Sequence, residues 1–486
     1  TSFEVAILAQ SIPEIKKVLF VVDRKDLDYQ TINEFNKFQK DSVNTTKSTK
    51  ELDKQLLDNS VNKKIVVTTI QKLYKLVKDR QNKLGVFNEN VVLIFDECHR
   101  SQFGSMRKDI AKKFKKNIMF GFTGTPISAK NANLSNDSRF KTTAQIFGQE
   151  LHQYTIVDAI NDGNVLKFKI DYAKTIKTNE IINLEKGTSV DDEKAFLDSR
   201  RINKVTEYII EWFNTKTKRD KSYLGKVEDY IVNGIGNKYQ TTSPQLSGFN
   251  SIFAVSSIKA AKLYYEEFKS QQKDKLDSQK IKVGMIYSFN PNEGQSDELG
   301  YVSDDDMDTN KLDLSSKQAL ENAIKDYNEM FKQSFDLSNG FDKYYKDISL
   351  KMKNKELDIL IVVNMFLTGF DAPQLNTLWI DKRLRYHGLL QAFSRTNRIL
   401  NSVKSFGQIV SFRNIENEVN DSLELFSNKN SRGIIILKSF QDYMEGFNDQ
   451  DGKYKQGFVE IVELLKNKFP LEDGRIPDIK SESEQR

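Results

Sequence analysis

The feature that most constrains the fold of this chain is a short apolar run that keeps recurring. Val18-Leu19-Phe20-Val21-Val22, Ile65-Val66-Val67, Val91-Val92-Leu93-Ile94-Phe95 and Ile118-Met119-Phe120-Gly121-Phe122 follow one another early in the chain. Each is rich in β-branched or aromatic side chains and is apolar at consecutive positions. A strand with one wet face alternates apolar and polar residues, whereas a strand covered on both faces does not. The stretches between the runs are polar and long enough for crossover helices. The pattern is therefore that of a parallel sheet wrapped by helices on both faces, a doubly wound α/β domain.

A second series of runs follows: Ile252-Phe253-Ala254-Val255, Val283-Gly284-Met285-Ile286-Tyr287, residues 357–363, Leu378-Trp379-Ile380 and Ile409-Val410-Ser411-Phe412. It implies a second α/β domain. The length asks for one as well, since 486 residues exceed the roughly 250–300 at which a single core stops growing. The expected division is a first domain at residues 1–172, a second at 173–412 with inserted polar segments, and a helical C-terminal region at 413–486 without a strand series. Helical period shows around residues 202–213, and the acidic stretch at 290–310 suits a solvated surface loop.

Charge and cysteine content narrow the setting. Lys+Arg number 74 against 68 Asp+Glu, a formal net charge of +6. That is too little for a uniformly basic chain, so any nucleic-acid site must be a local groove. The single cysteine, Cys98, excludes a disulfide within the chain and suits a reducing cytoplasm. There is no apolar run of membrane-spanning length, so no membrane partner is expected. The chain opens at Thr1 without Met and reads as an internal segment.

Chemistry is concentrated just after the runs, where open α/β sheets gather their ligands. Asp96-Glu97-Cys98-His99 follows the run at 91–95. Two adjacent carboxylates there can divide the work. Asp96 can hold Mg²⁺, which prefers oxygen ligands, while Glu97 orients or deprotonates an attacking water and His99 couples the site to its surroundings. Two exposed acids in a loop would spell the same letters; the position behind a buried run favours a site. Thr123-Gly124-Thr125-Pro126 follows the next run. The Thr123 and Thr125 hydroxyls can bond a carboxylate or phosphate, although a plain strand-to-loop turn would use the same residues.

In the second series, Thr368-Gly369-Phe370-Asp371 follows the run at 357–363, and Gln391-Ala392-Phe393-Ser394-Arg395-Thr396-Asn397-Arg398 comes later. If that later stretch is helical, Gln391, Arg395 and Arg398 stand at i, i+4 and i+7 on one face. Two guanidiniums and an amide on one face can meet a triphosphate, although such a face is more often merely solvated. Backbone amides, hydroxyls and basic groups near strand ends suit phosphate contacts to a duplex, and Arg24, Thr68, Thr69 and Thr368 are the candidates.

The order of these pieces is more specific than any one of them. DECH, TGTP, TGFD and QAFSRTNR resemble motifs II, III, V and VI of superfamily 2 helicases and translocases. VVDRKDLDYQT, LIFDECHRSQFG, TGTPI, LIVVNMFLTGFDAPQLNTLW and DKRLRYHGLLQAFSRTNRI together resemble the R subunit of type I restriction endonucleases over most of residues 1–412. The resemblance implies two RecA-like motor domains and a helical region that docks on a methyltransferase core. It further implies ATP and Mg²⁺ as cofactors, and ATP-driven pulling of double-stranded DNA. Methyltransferase (M) and specificity (S) subunits are the implied partners. Asp96 and Glu97 are then the Mg²⁺- and water-handling pair, Arg395 and Arg398 the motif VI arginines, and Gly369, Asp371, Thr123 and Thr125 line the nucleotide's surroundings.

Two departures stand out. Nothing in the sequence matches the phosphate loop G-x-x-x-x-G-K-[ST]; Gly225-Lys226-Val227 is the nearest and lacks the hydroxyl and the upstream glycine. The resemblance places Thr1 to Gln10 in the helix that follows that loop. The family's nuclease motif is absent too, since Pro477-Asp478 has no acid-x-Lys after it. These 486 residues by themselves are therefore expected to be inactive. Two other functions compete: a different superfamily 2 machine, such as a type III restriction motor or a repair helicase, and a non-catalytic remnant that binds DNA or partner subunits. The stretch RYHGLLQAFSRTNRI speaks against the first, and the intact Asp96-Glu97 and Arg395/Arg398 against the second.

Overall fold

The structure is a computed structural model that describes residues 1–22, 48–58, 64–79, 84–99, 103–128, 142–173, 195–233, 236–288, 312–427, 432–438, 440–448 and 453–469. The chain divides into two compact units, Thr1–Thr155 and Ile156–Arg486. Each is built on a parallel sheet.

The first unit holds strands β1 (Lys17–Val22), β2 (Ile65–Thr69), β3 (Asn90–Phe95) and β4 (Lys116–Gly121). Their order across the sheet is β2-β1-β3-β4, all parallel. Both faces of β1 are covered. Val18, Phe20 and Val22 pack in one cluster with Ala6 and Ala9 of helix α1 (Ser2–Ser11). Leu19 and Val21 pack in the other with α2 (Thr49–Leu57) and α3 (Ile70–Asp79). This two-sided burial is why the runs do not alternate, and each such side chain contributes roughly 1.5–3 kcal/mol. Lys17 opens β1 and is itself buried. Its Nζ donates to the carbonyls of Gln55 and Asp58 at 2.7 and 2.6 Å, supplying donors and a cation to the carboxyl end of α2, where helical carbonyls lack partners. Strand β4 differs from expectation. It lies at the sheet edge and is open on one side, with Ile118 52% exposed, so the run at 118–122 is not buried on both faces.

The second unit holds β5 (Phe168–Tyr172), β6 (Asn250–Val255), β7 (Val283–Ile286), β8 (Ile359–Val362), β9 (Leu375–Asp381) and β10 (Gly407–Ser411). They form a parallel sheet of order β7-β8-β6-β9-β10-β5. Helices α5 (Ser199–Lys216), α6 (Ile258–Gln271), α7 (Leu314–Phe331) and α8 (Leu337–Lys353) contribute to its core; α4 (Phe103–Lys113) belongs to the first unit. Arg201 of α5 makes a buried two-toothed pair with Asp381 at the end of β9, at 2.8 and 2.7 Å. Burial alone would raise the Asp381 pKa, but Arg201 and Arg413 hold it well below the usual carboxylate range.

Two expected boundaries move. Residues 168–172 form β5, whose partner is β10 in register Gly407↔Phe168, so the first unit ends before this strand and not at residue 172. The expected break at 413 also falls inside a packed region. Helix α10 (Glu416–Phe426) buries Val419, Leu423 and Phe426 in the second core. Among the described residues, three antiparallel strand pairs were not expected: Ser222–Leu224 with Gln245–Ser247, Val227–Asn233 with Gly236–Thr242, where Asn233-Gly234 is a hairpin signal in the sequence, and Gly446–Asn448 with Tyr454–Gln456 in the region read as purely helical. The latter strands have three residues each, too few to show a period. Arg24 and the acidic stretch at 290–310 lie outside the described residues. Among the described residues, no helix is long and apolar enough to cross a membrane.

Candidate active site

In the first unit the chain leaves β3 into a tight turn. The Asp96 amide donates to the Val21 carbonyl at the end of β1 (3.0 Å), and the Cys98 amide to the Phe122 carbonyl just beyond β4 (3.0 Å). The carboxyl ends of β1, β3 and β4 are thus tied to this one turn. Asp96 Oδ1 accepts from the Glu97 amide at 3.0 Å, and Glu97 takes φ 49°. That left-handed conformation costs a non-glycine residue about 1–2 kcal/mol, and such strain tends to gather at functional sites.

The turn reaches across to the TGTP segment. His99 Nδ1 lies 2.7 Å from Thr123 Oγ1 and 3.5 Å from Glu97 Oε2. Thr123 Oγ1 also accepts from the Thr125 amide at 3.0 Å. The His99 side chain is 3% exposed and that of Glu97 26%, so the imidazole is buried while the carboxylate reaches solvent. Cys98 faces inward, and burial with the nearby Glu97 and Asp96 charges pushes its thiol up to about 12; it serves as packing. Gly121 permits this closeness, because a Cβ there would come within 2.8 Å of Cys98 Sγ.

In the second unit the loop after β8 carries Thr368, Gly369 and Asp371. Gly369 takes φ 75°, as glycine readily can, but Phe366 takes φ 68°. The Arg395 guanidinium donates to the Phe370 carbonyl at 2.5 Å and to the Gln391 carbonyl at 3.0 Å. Arg398 Nε pairs with Asp371 Oδ1 at 3.1 Å, both side chains about half exposed.

Known proteins match in the order these motifs run. A family profile described as SWI2/SNF2 ATPase matches residues 1–202, and one described as type I restriction enzyme subunit R domain 3 matches residues 247–414. The Type I restriction enzyme SauMSSORF170P endonuclease subunit of Staphylococcus aureus (strain MSSA476) is 41% identical over 490 residues, covering 96% of this chain and 48% of that protein. The chain belongs to the type I restriction enzyme R subunits. The SsaAORF53P endonuclease subunit of Staphylococcus saprophyticus is 37% identical over 96% of the chain and 48% of its own length. The HindI endonuclease subunit of Haemophilus influenzae is 26% identical over 88% of the chain and 37% of its own length. The chain thus spans about half the length, or less, of these relatives.

Several expectations change in this R-subunit segment. Gln391, Arg395 and Arg398 do not share a helix face. Helix α9 (Tyr386–Phe393) stops at a cap on Ser394, so both arginines lie beyond it, and Arg395 Nε donates to the Gln391 carbonyl. Thr68, Thr69 and Thr368 are buried, at 0%, 1% and 7% exposure, so their hydroxyls do not face solvent as phosphate contacts would. Thr69 Oγ1 accepts from the Lys72 amide at 3.3 Å, in the first turn of α3. Thr68 Oγ1 is buried and has no hydrogen-bond partner among the described residues. Letters alone could not separate a strand-end hydroxyl aimed outward from one aimed inward.

Two buried lysines went unnoticed in the sequence. Lys382 Nζ donates to the Val363 carbonyl and Asn364 Oδ1, both at 2.8 Å, where the loop leaves β8. Lys404 Nζ donates to the Pro373 and Leu375 carbonyls, both at 2.7 Å, where the chain re-enters β9. The loop bearing Thr368 and Asp371 is clamped at both ends. Lys382 stands in the stretch DKRLRYHGLLQAFSRTNRI, where its spacing shows no role, and Lys404 lies outside the motifs.

Proposed function

We propose that this segment is the motor of a type I restriction enzyme. It hydrolyses ATP and uses the cycle to pull double-stranded DNA, with cleavage left to a nuclease site that these residues do not contain. The observation that carries the reading is the Asp96-Glu97 turn at the carboxyl ends of β1, β3 and β4, tied through His99 to Thr123.

In this reading the exposed Glu97 carboxylate orients and deprotonates the attacking water. His99, held by Thr123, fixes the direction of Glu97. Thr125 completes the turn behind it. Asp96 offers carboxylate oxygen to Mg²⁺. Among the described residues no group of three or more His, Cys, Asp or Glu side chains could hold a metal. Mg²⁺ usually takes one or two carboxylates and completes its shell with water and phosphate oxygens, and Asp96 would supply one such carboxylate. When bound, the ion neutralises charge on the phosphates. Arg395 and Arg398 supply guanidinium charge to the phosphates, with Gln391, Gly369 and Asp371 shaping their surroundings. Double-stranded DNA, the methyltransferase and specificity subunits, and a cytoplasmic setting complete the proposal.

A motor that follows a duplex needs mainly backbone phosphate contacts, whereas single-strand trackers stack bases on aromatic side chains. The assembled full-length enzyme is therefore expected to displace the third strand of triplex DNA in an ATP-driven reaction, without releasing a labelled strand from a duplex. DNA binding in that assay falls steeply with salt. Robust strand release without triplex displacement would instead favour a helicase.

A further inference from the structure

Phe366 combines features that its neighbours do not share. It is 1% exposed and sits at φ 68°, a conformation seldom taken by a bulky side chain outside turns and strained functional loops. Its ring lies between two others. Tyr345 of α8 is 5.0 Å away, centroid to centroid, and Phe370 is 4.8 Å away in an edge-on arrangement. Both neighbours are buried. The same residue Phe370 offers its carbonyl to Arg395 Nη1 at 2.5 Å. A side chain on rigid helix α8 is thereby linked, through two rings and one carbonyl, to a guanidinium that follows α9.

We propose that Phe366 is a positioning residue for Arg395. The left-handed turn at Phe366 swings its ring inward, between Tyr345 and Phe370. The ring then fixes the Phe370 peptide, and that carbonyl sets the direction of the Arg395 guanidinium. The strain persists because the packing on both sides over-determines it. The loop is clamped at its ends by Lys382 and Lys404. Between those clamps the Tyr345 and Phe370 rings pack against Phe366. This inference rests on the proposed role of Arg395 at the phosphates.

The test is a double-mutant cycle on the ATPase of the full-length subunit in its assembled complex. Phe366→Gly removes the ring while keeping a residue at ease at this φ. Small misplacements of a catalytic group cost up to about 100-fold, so this variant should lower kcat about 10- to 100-fold while KM for ATP stays within about threefold. In the Arg395→Ala background the same change should lower kcat by less than about threefold, because residues that act as a unit are not additive. Phe366→Leu, which keeps most of the apolar volume, should return kcat to within about threefold of wild type. A merely structural role would give equal losses in both backgrounds, and that additivity would overturn the inference. If Phe366→Gly does not fold, Tyr345→Leu truncates the far end of the stack, and its cycle with Arg395→Ala is read in the same way. Should wild type hydrolyse ATP and Arg395→Ala leave kcat unchanged, the role of Arg395 falls and this inference falls with it. Should Arg395→Ala lower kcat while the cycle is additive, only the inference falls.

Discussion

His99 Nδ1 stands 2.7 Å from Thr123 Oγ1 and 3.5 Å from Glu97 Oε2. One buried nitrogen thereby joins the acid that follows β3 to the hydroxyl that follows β4. Either the threonine or the imidazole can donate, according to the tautomer. When Nδ1 carries the proton, the Glu97 carboxylate has a donor on its protein side and solvent on the other, as a base for water requires.

Glu97→Gln in the full-length protein should keep ATP binding and lower turnover by at least about 100-fold, since a positioned base contributes 10²–10⁴ and an amide cannot act as one. Asp96→Ala should in addition weaken Mg²⁺-dependent nucleotide binding. Steady-state ATPase assays with a parallel nucleotide-binding titration distinguish the two. Retention of most activity by Glu97→Gln would place the base elsewhere.

Arg395 and Arg398 should behave differently from each other, because the structure holds them differently. Arg395 is tied to two carbonyls, whereas Arg398 is half exposed in an ion pair with Asp371. Arg395→Ala should lower kcat by about 10³-fold or more with a much smaller change in ATP affinity, the signature of a guanidinium acting on the transition state. Arg398→Ala should lower kcat too, and Asp371→Asn should not reproduce the loss, because an exposed pair of this kind contributes little by itself. Equal losses in binding and turnover for Arg395→Ala would make it a plain phosphate clamp.

Lys404 gives the second unit a pH dependence. Burial pushes its amine down to about 7, against a small opposing pull from Asp371, with Arg398 adding to the fall. Below pH 7 the folded chain carries a buried cation and bears its full cost. Between about 7 and the ordinary lysine value near 10.4 the unfolded chain binds the proton more tightly, so stability rises with pH. A neutral amine still has two N–H donors for the Pro373 and Leu375 carbonyls. Thermal unfolding at pH 6 and pH 9 should therefore show a gain in wild type that is smaller in Lys404→Met. Equal gains in both proteins would remove Lys404 as the source.

The amino-acid sequence by itself determined the two parallel sheets, because strands covered on both faces need unbroken apolar runs and those runs are visible as letters. It also located the Asp96-Glu97 turn and the loop bearing Thr368 to Asp371, since strand ends follow directly from where the runs stop. Tertiary structure decided the rest. Whether residues 168–172 join the first or the second sheet depends on a partner strand more than 230 residues away in sequence. That Arg395 and Arg398 leave their helix at Ser394 depends on where packing ends α9, and the spacing of the arginines is the same either way. The clamps at Lys382 and Lys404 and the left-handed turn at Phe366 are invisible in sequence for one shared reason. Each is fixed by contacts to carbonyls or rings distant along the chain, and such contacts require a place in space rather than a particular neighbouring residue.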